Sequence, residues 1–273
     1  MTKLCQVLRV KRSGYYAWDK RPKSQKERWR ERIAALVEAE FHASHEILGA
    51  RKITEVLRGK GEKAGRGMVA RIMREKGLKS KVVKKYKATT NSKHNLPVAE
   101  NLLNRAFHAA RLNEKWVSDI TYVPTDEGWL YVAGILDLYG HEIAGWSMGE
   151  RMTKELVIDC LNQACGRRGH PRGVLLHSDR GRQYCSHEYQ RILRERGFVC
   201  SMSRKANCWD NAPMESFWGK LKQEWLNDKH FKTRAEAKAD IFWYIEVFYR
   251  RHRPHEANGY LTPETYVKRA ANF

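Results

Sequence analysis

Three short runs stand close together in the middle of the chain: WVSDITYVPT (116–125), WLYVAGILDLY (129–139) and EIAGWSMG (142–149). Each is rich in Val, Ile, Tyr and Trp, residues that pack well on a pleated surface, and only a few turn residues separate neighbouring runs. Connections that short join antiparallel neighbours, so the spacing predicts a three-strand meander. Beyond it the pattern changes. TKELVIDCLNQACGRRG reads as a helix with a glycine end, GVLLHSD as a buried strand, SHEYQRILRERGF as a helix and VCSMS as a further short strand. Strand and helix now alternate, which implies an α/β fold in which a mixed sheet is covered by helices. A last helix, TRAEAKADIFWYIEVFYRRHR, carries a strong aromatic stripe.

Binding sites in such sheets form beyond strand ends, where loops converge. Two acids stand out by position: Asp119 lies inside the first strand among apolar neighbours, and Asp179 ends the strand GVLLHSD just before the turn RGRQ. A third, Glu215, lies on the helix of SRKANCWDNAPMESFWGKLKQE. There Met214, Phe217, Trp218, Leu221 and Trp225 make one apolar face, Pro213 suits a first turn, and Asp210 or Asn211 can cap it. Glu215 is about 100° round from Met214, on the side of Trp218, Gly219 and Lys222, so it borders the buried stripe. A first-turn Glu also satisfies the helix dipole, and an Asp at a strand end is often a turn former, so position alone does not decide between site and scaffold. Three carboxylates brought together would repel one another and raise each other's pKa unless divalent cations neutralised them. Oxygen-only ligands favour Mg²⁺ or Mn²⁺, and a pair of such ions about 4 Å apart suits in-line displacement at phosphorus.

Charge supplies the partner class. The net charge is +21, and residues 1–95 hold 26 Lys or Arg against 9 Asp or Glu, a net of +17 that leaves +4 for the remainder. This is the footprint of a polyanion-binding N-terminal third, with nucleic acid favoured over membrane lipid. QKERWRERIAALVEAEFHA (25–43) reads as an amphipathic helix; GARKITEVLRGKG and GRGMVARIMREKGL follow as two short helices about a glycine turn. The pair fits a helix-turn-helix at about 48–77 in which Arg66, Arg71 and Arg74 face DNA; a helical hairpin with a solvated basic face fits equally. KSKVVKKYKATTNSKHNLPVAEN reads as a basic arm. The six cysteines form no CxxC pair and no zinc spacing, and no apolar run is long enough for a membrane span or a signal core, so a cytoplasmic protein is expected.

The blocks around the three acids, WVSDITYVPTDEGWLYVAGILDLYGHEIAGW, LLHSDRGRQYCS and SMSRKANCWDNAPMESFWGKLKQE, resemble those of OrfB-type transposases of the insertion-sequence-three family. The 35 residues between Asp179 and Glu215 equal that family's interval, and 59 separate Asp119 from Asp179. RSGYYAW, LGARKI, ATTNSKHNLPVAENLLNRAF and FYRRHRPHEANGYLTPETY also look like family segments, so the resemblance covers nearly the whole chain. Gly140 and His141 stand where Ser-Arg is usual, and Arg182 where Ser is common.

The resemblance implies an RNase H-like core, similar to that of retroviral integrases, in which Asp119, Asp179 and Glu215 hold two Mg²⁺ (or Mn²⁺) ions. It places Lys222 near the element's end. The implied organisation is a basic helical DNA-binding region (1–87), an arm with a short helix (88–112), a DDE catalytic core (113–228) and a helical extension (229–273). The implied activity is nicking of double-stranded DNA at the terminal inverted repeats and joining to target DNA, in the nucleoid of a bacterium. The implied partners are further copies of the chain and an upstream-frame product (OrfA). Asp210 and Asn211 are read as caps, Trp209 and Trp218 as core or DNA-stacking residues, and His177 as a packed strand residue. Two rivals remain at this point: a nuclease that cuts without joining, and a DNA-binding regulator in which the acids are spectators.

Overall fold

The computed structural model describes residues 5, 7, 10–81, 96–205 and 207–270. The chain divides into two compact units, Met1–Lys79 and Ser80–Phe273.

The first unit is helical: α1 (Arg12–Asp19), α2 (Gln25–Ala43), α3 (Ala50–Gly59) and α4 (Arg66–Glu75). α2 begins where Ser24 and Glu27 bond each other's backbone N–H groups, the reciprocal arrangement that satisfies two free donors of a first turn. Ile33, Val37 and Phe41 recur every four residues along α2 and meet Ile53 and Leu57 of α3 and Val69 and Ile72 of α4 in one dry core. Gly61, at φ +84°, lets the chain reverse between α3 and α4. Arg66, Arg71 and Arg74 are exposed on α4.

The second unit is built on a five-stranded sheet of order β3-β2-β1-β4-β5. β1 (Lys115–Thr125), β2 (Gly128–Asp137) and β3 (Glu142–Gly149) form the expected antiparallel meander. α5 (Lys154–Arg167) then crosses over so that β4 (Leu175–Ser178) lies parallel to β1, and α6 (His187–Glu195) returns the chain to β5 (Val199–Met202), parallel to β4. Helices cover both faces. On one, α5 presses so close to β3 that a Cβ on Gly145 would lie 2.6 Å from Cys160 O. On the other lies α7 (Ala212–Leu221), which continues as a π-helical turn over Lys222–Leu226.

The arm departs from expectation. Residues 82–95 lie outside the described residues, and 96–112 run as turns in which no helix forms. Their backbone donors go to the core: Leu102 and Leu103 N–H bond Ser201 Oγ, and Ala110 N–H bonds the Glu114 carboxylate. The expected last helix is α8 (Arg234–Phe242), which widens into a π-helical stretch over Trp243–His252; a short turn and α9 (Pro263–Ala270) follow. Gly140 and His141 seat this extension. A Cβ on Gly140 would lie 2.5 Å from Val267 Cγ2, and the His141 ring stacks on His255 at 4.4 Å. Among the described residues no helix is long and apolar enough to cross a membrane.

Candidate active site

Asp119 stands near the middle of the sheet. The β1–β4 register pairs Val117 with His177; carried two residues further, it sets Asp119 level with Asp179, just beyond the end of β4. Alternation along both strands turns the two carboxyls to the same face. Across the other ladder Asp119 faces Gly134, and there α7 occupies the space a side chain would need: a Cβ on Gly134 would lie 2.5 Å from Met214 Cε and 2.9 Å from Trp218 Cη2. Met214 and Trp218 flank Glu215, so this close approach carries the third acid to the same place. Asn211 ties the start of α7 to β1 by donating Nδ2–H to Ser118 O at 3.0 Å.

The electrostatics report the convergence. Burial raises the pKa of Asp119 well above the usual carboxylate value, the charge of Asp179 raises it further, and Glu215 adds to the rise. Burial also raises Glu215. The Ile120 N–H and the Trp218 indole pull Asp119 the other way. Trp218 Nε1 leans toward that carboxyl but falls short of full hydrogen-bond geometry, so this buried donor has no full partner among the described residues. The Asp179 Oδ1 accepts from Gly181 N–H at 2.8 Å, which closes the turn after β4. Among the described residues no three His, Cys, Asp or Glu side chains stand close enough to form a finished metal cage. The donor set nevertheless suits a hard cation: oxygen-only, partly desolvated, and mutually repelling until a positive charge is supplied.

A fourth acid anchors the segment that leads into α7. Asp210 is fully buried and accepts from Arg204 N–H, Nε–H and Nη2–H, from Arg105 Nε–H and from Asn101 Nδ2–H. The side-chain bonds from Arg204 lead in holding its pKa far below the ordinary value. Neither Asp210 nor Asn211 caps α7 with its side chain: the Asp210 oxygens accept the bonds just named, and Asn211 gives its amide N–H to Ser118 while its Oδ1 has no partner among the described residues, which corrects the cap reading. Trp218 is core, whereas Trp209 is 69% exposed. His177 is packed as expected, with Nδ1 2.8 Å from Ser201 Oγ and Nε2 3.1 Å from Ser203 Oγ; burial takes its pKa down to about 4.

Integrase core domain family models match residues 109–208 and 196–263, and an HTH-like domain model matches residues 28–86. The chain is 46% identical over 263 residues to the "Insertion element IS600 uncharacterized 31 kDa protein" of Shigella sonnei, covering 96% of this chain and 97% of that one. It is 43% identical over 265 residues to "Transposase InsF for insertion sequence IS3A" of Escherichia coli strain K12, covering 96% and 92%. The chain belongs to the IS3-family transposases. Among solved structures, the HTLV-2 integrase catalytic core domain in complex with magnesium aligns at a TM-score of 0.46 and 17% identity, over 58% of this chain and 99% of that one.

In this IS3-family chain the remaining site residues fall in two places. Lys222 joins the acids: it is buried, its ammonium lies over the Tyr122 ring at 4.9 Å, and burial lowers its pKa to about 8 against the raising charge of Asp119. Arg66, Arg71 and Arg74 belong to the other unit, in the helix pair that the HTH-like match covers. Sequence reasoning missed Gly134, the tether of Asn211 and the hub at Asp210. Of these only Gly134 left a signal, a glycine inside an otherwise apolar strand, which marks a close approach.

Proposed function

We propose that this chain is the DNA-cutting and DNA-joining subunit of its insertion element, with Asp119, Asp179 and Glu215 as the catalytic acids. The observation that carries the reading is geometric: the strand register sets Asp119 level with Asp179, and the helix that bears Glu215 packs onto Gly134 directly opposite Asp119, in a chain with an integrase core domain. The three carboxylates would hold two Mg²⁺ or Mn²⁺ ions, which supply Lewis acidity at the scissile phosphate and neutralise the acids. The chain's own residues do the rest. β1, β4 and α7 would bring the three carboxylates to one region of the sheet, Trp218 and Met214 would keep water from one side of it, and Lys222 would offer a positive charge beside Asp119 for the DNA strand.

Two displacements follow from such a site. In the first, a water oxygen bonds to phosphorus at the element end, the P–O3′ bond breaks, and the departing 3′ oxygen takes a proton. In the second, that freed 3′-OH bonds to a phosphorus of target DNA, the P–O3′ bond there breaks, and the leaving 3′ oxygen is protonated in turn. Both are in-line attacks of oxygen on phosphorus, so one set of acids serves both and no covalent protein–DNA link is needed. The basic first unit would supply duplex binding, further copies would bring two element ends together, and the upstream-frame product would complete the assembly.

The test is cleavage and joining of labelled DNA carrying the element's ends, in Mg²⁺, by the chain supplied with its upstream partner. Glu215→Gln is expected to reduce both products on the order of 100-fold or more, the scale of losing one stabilising group at a transferring phosphoryl centre. Cleavage without joined products would favour the plain nuclease. Equal behaviour of variant and wild type, with DNA binding intact, would leave a binding regulator as the better account.

A further inference from the structure

Glu224 and Arg253 form an enclosed ion pair, with side chains 14% and 5% exposed. The pairing is two-pronged: Arg253 Nε–H donates to Glu224 Oε2 at 2.7 Å and Nη2–H to Oε1 at 2.6 Å. Tyr244 Oη–H adds a third bond to Oε2 at 2.7 Å. A planar guanidinium fork on a carboxylate fixes direction as well as distance, and enclosure protects it from screening. Glu224 belongs to the π-helical turn Lys222–Leu226 that continues α7, whereas Tyr244 and Arg253 belong to the extension. The neighbouring Trp225 is held from the same side, stacked on Trp243 at 4.4 Å.

Two residues apart in a helical turn, Lys222 and Glu224 leave the helix on opposite sides. Fixing Glu224 against the extension therefore fixes the direction in which Lys222 emerges, over Tyr122 and within the field of Asp119. The turn is widened: Asn227 N–H reaches back five residues to Lys222 O at 2.8 Å, and such π-helical turns are frequent at functional sites. The bonds to Tyr244 and Arg253 hold Glu224 within this turn.

We infer that Glu224 and Arg253, with Tyr244, are positioning residues that aim Lys222 at the site, so that the extension is a working part of the catalytic unit. The catalytic consequence rests on the proposed function; the aiming itself does not. The experiment therefore has two readouts on the full chain with its partner, in wild type, Arg253→Lys, Glu224→Gln and the milder Tyr244→Phe, which removes one hydroxyl and leaves the fork.

The first readout is acylation of Lys222 by a water-soluble reagent, followed by mass spectrometry, with exposed Lys238 as the internal control. The expected result is at least a fivefold faster modification of Lys222 in Arg253→Lys and Glu224→Gln, an intermediate rise in Tyr244→Phe, and no change at Lys238. Unchanged protection of Lys222 in folded variants would overturn the inference, whatever the activity. The second readout is the single-turnover cleavage rate at saturating DNA. Arg253→Lys should slow it about tenfold, yet cost less than twofold more in a Lys222→Ala background. Equal slowing in both backgrounds would show a general structural role and overturn the aiming. A wild type without metal-dependent cleavage would instead sink the proposed function while the acylation result stood.

Discussion

Gly134 faces Asp119 directly across the β1–β2 ladder, and the helix that carries Glu215 fills the space a side chain at Gly134 would take. One acid is thus delivered to the other by an absence. Gly134→Ala must displace Met214 and the Trp218 ring, an overpacking cost of about 1–3 kcal/mol. Because the displaced element bears Glu215, cleavage should fall by more than the loss of folded protein explains. Thermal unfolding and cleavage rate measured on the same samples check this; an Ala variant with normal activity would show that α7 can shift without harm.

The raised pKa of Asp119 makes a statement about stability. A carboxyl that holds its proton more tightly folded than unfolded stabilises the fold at low pH, and that contribution fades as pH rises from the ordinary carboxylate value toward the folded one. At neutral pH the metal-free core therefore bears strain that Asp119→Asn should relieve, raising its thermal midpoint in chelator. Mg²⁺ or Mn²⁺ at 100 times its Kd should stabilise the wild type by about 2.7 kcal/mol, a shift of several degrees, and leave the variant nearly unmoved. A metal-induced shift of equal size in Asp119→Asn would count against the acids as ligands.

Asp210 works in the opposite sense. Its pKa is depressed, chiefly by Arg204, so its contribution is fully present above the unfolded carboxylate value and is lost as pH falls through the folded one. Arg105 and Arg204 are themselves about half exposed, so solvent screens much of the charge attraction and the five accepted bonds matter more. Asp210→Asn should destabilise the core by about 1–3 kcal/mol at neutral pH and flatten its acid unfolding below pH 4. Circular dichroism melts across pH 2–7 would reveal an unchanged acid limb if the hub were dispensable.

Arg66, Arg71 and Arg74 are exposed on α4, and among the described residues none meets an acidic partner. If each neutralises one DNA phosphate, each Ala substitution should reduce the slope of log K against log salt by about one. Filter binding between 50 and 200 mM salt would show this, and a slope unaltered by the triple variant would move the DNA contact elsewhere.

The strands and the apolar faces were legible in sequence because each depends on local periodicity; the three acids were singled out by position, but only the family resemblance gave them a role. The meander announced itself through Val, Ile, Tyr and Trp, and the face of α7 through Met214, Phe217, Trp218 and Leu221. What was not legible depends on partners distant in sequence. Asn211 and Asp210 sit where caps belong, and their residue types suit caps, but the arginines occupy the Asp210 oxygens, and the bond from Asn211 Nδ2–H to Ser118 O turns that side chain toward β1 and leaves its Oδ1 off the helix end. The widened turns at Lys222–Leu226 and Trp243–His252 leave no mark on a 3.6-residue pattern, since the apolar stripe continues through them.

The register that sets Asp119 level with Asp179 separates two kinds of tolerance to inserted or deleted residues. The connection from α5 to β4 can lengthen without moving either acid, because its ends are fixed by the sheet. One residue gained or lost between Val117 and Asp119, or between His177 and Asp179, would rotate a carboxyl to the opposite face of the sheet. Length variation between the two acids is therefore free in the loops and forbidden in the last two residues of each strand's approach.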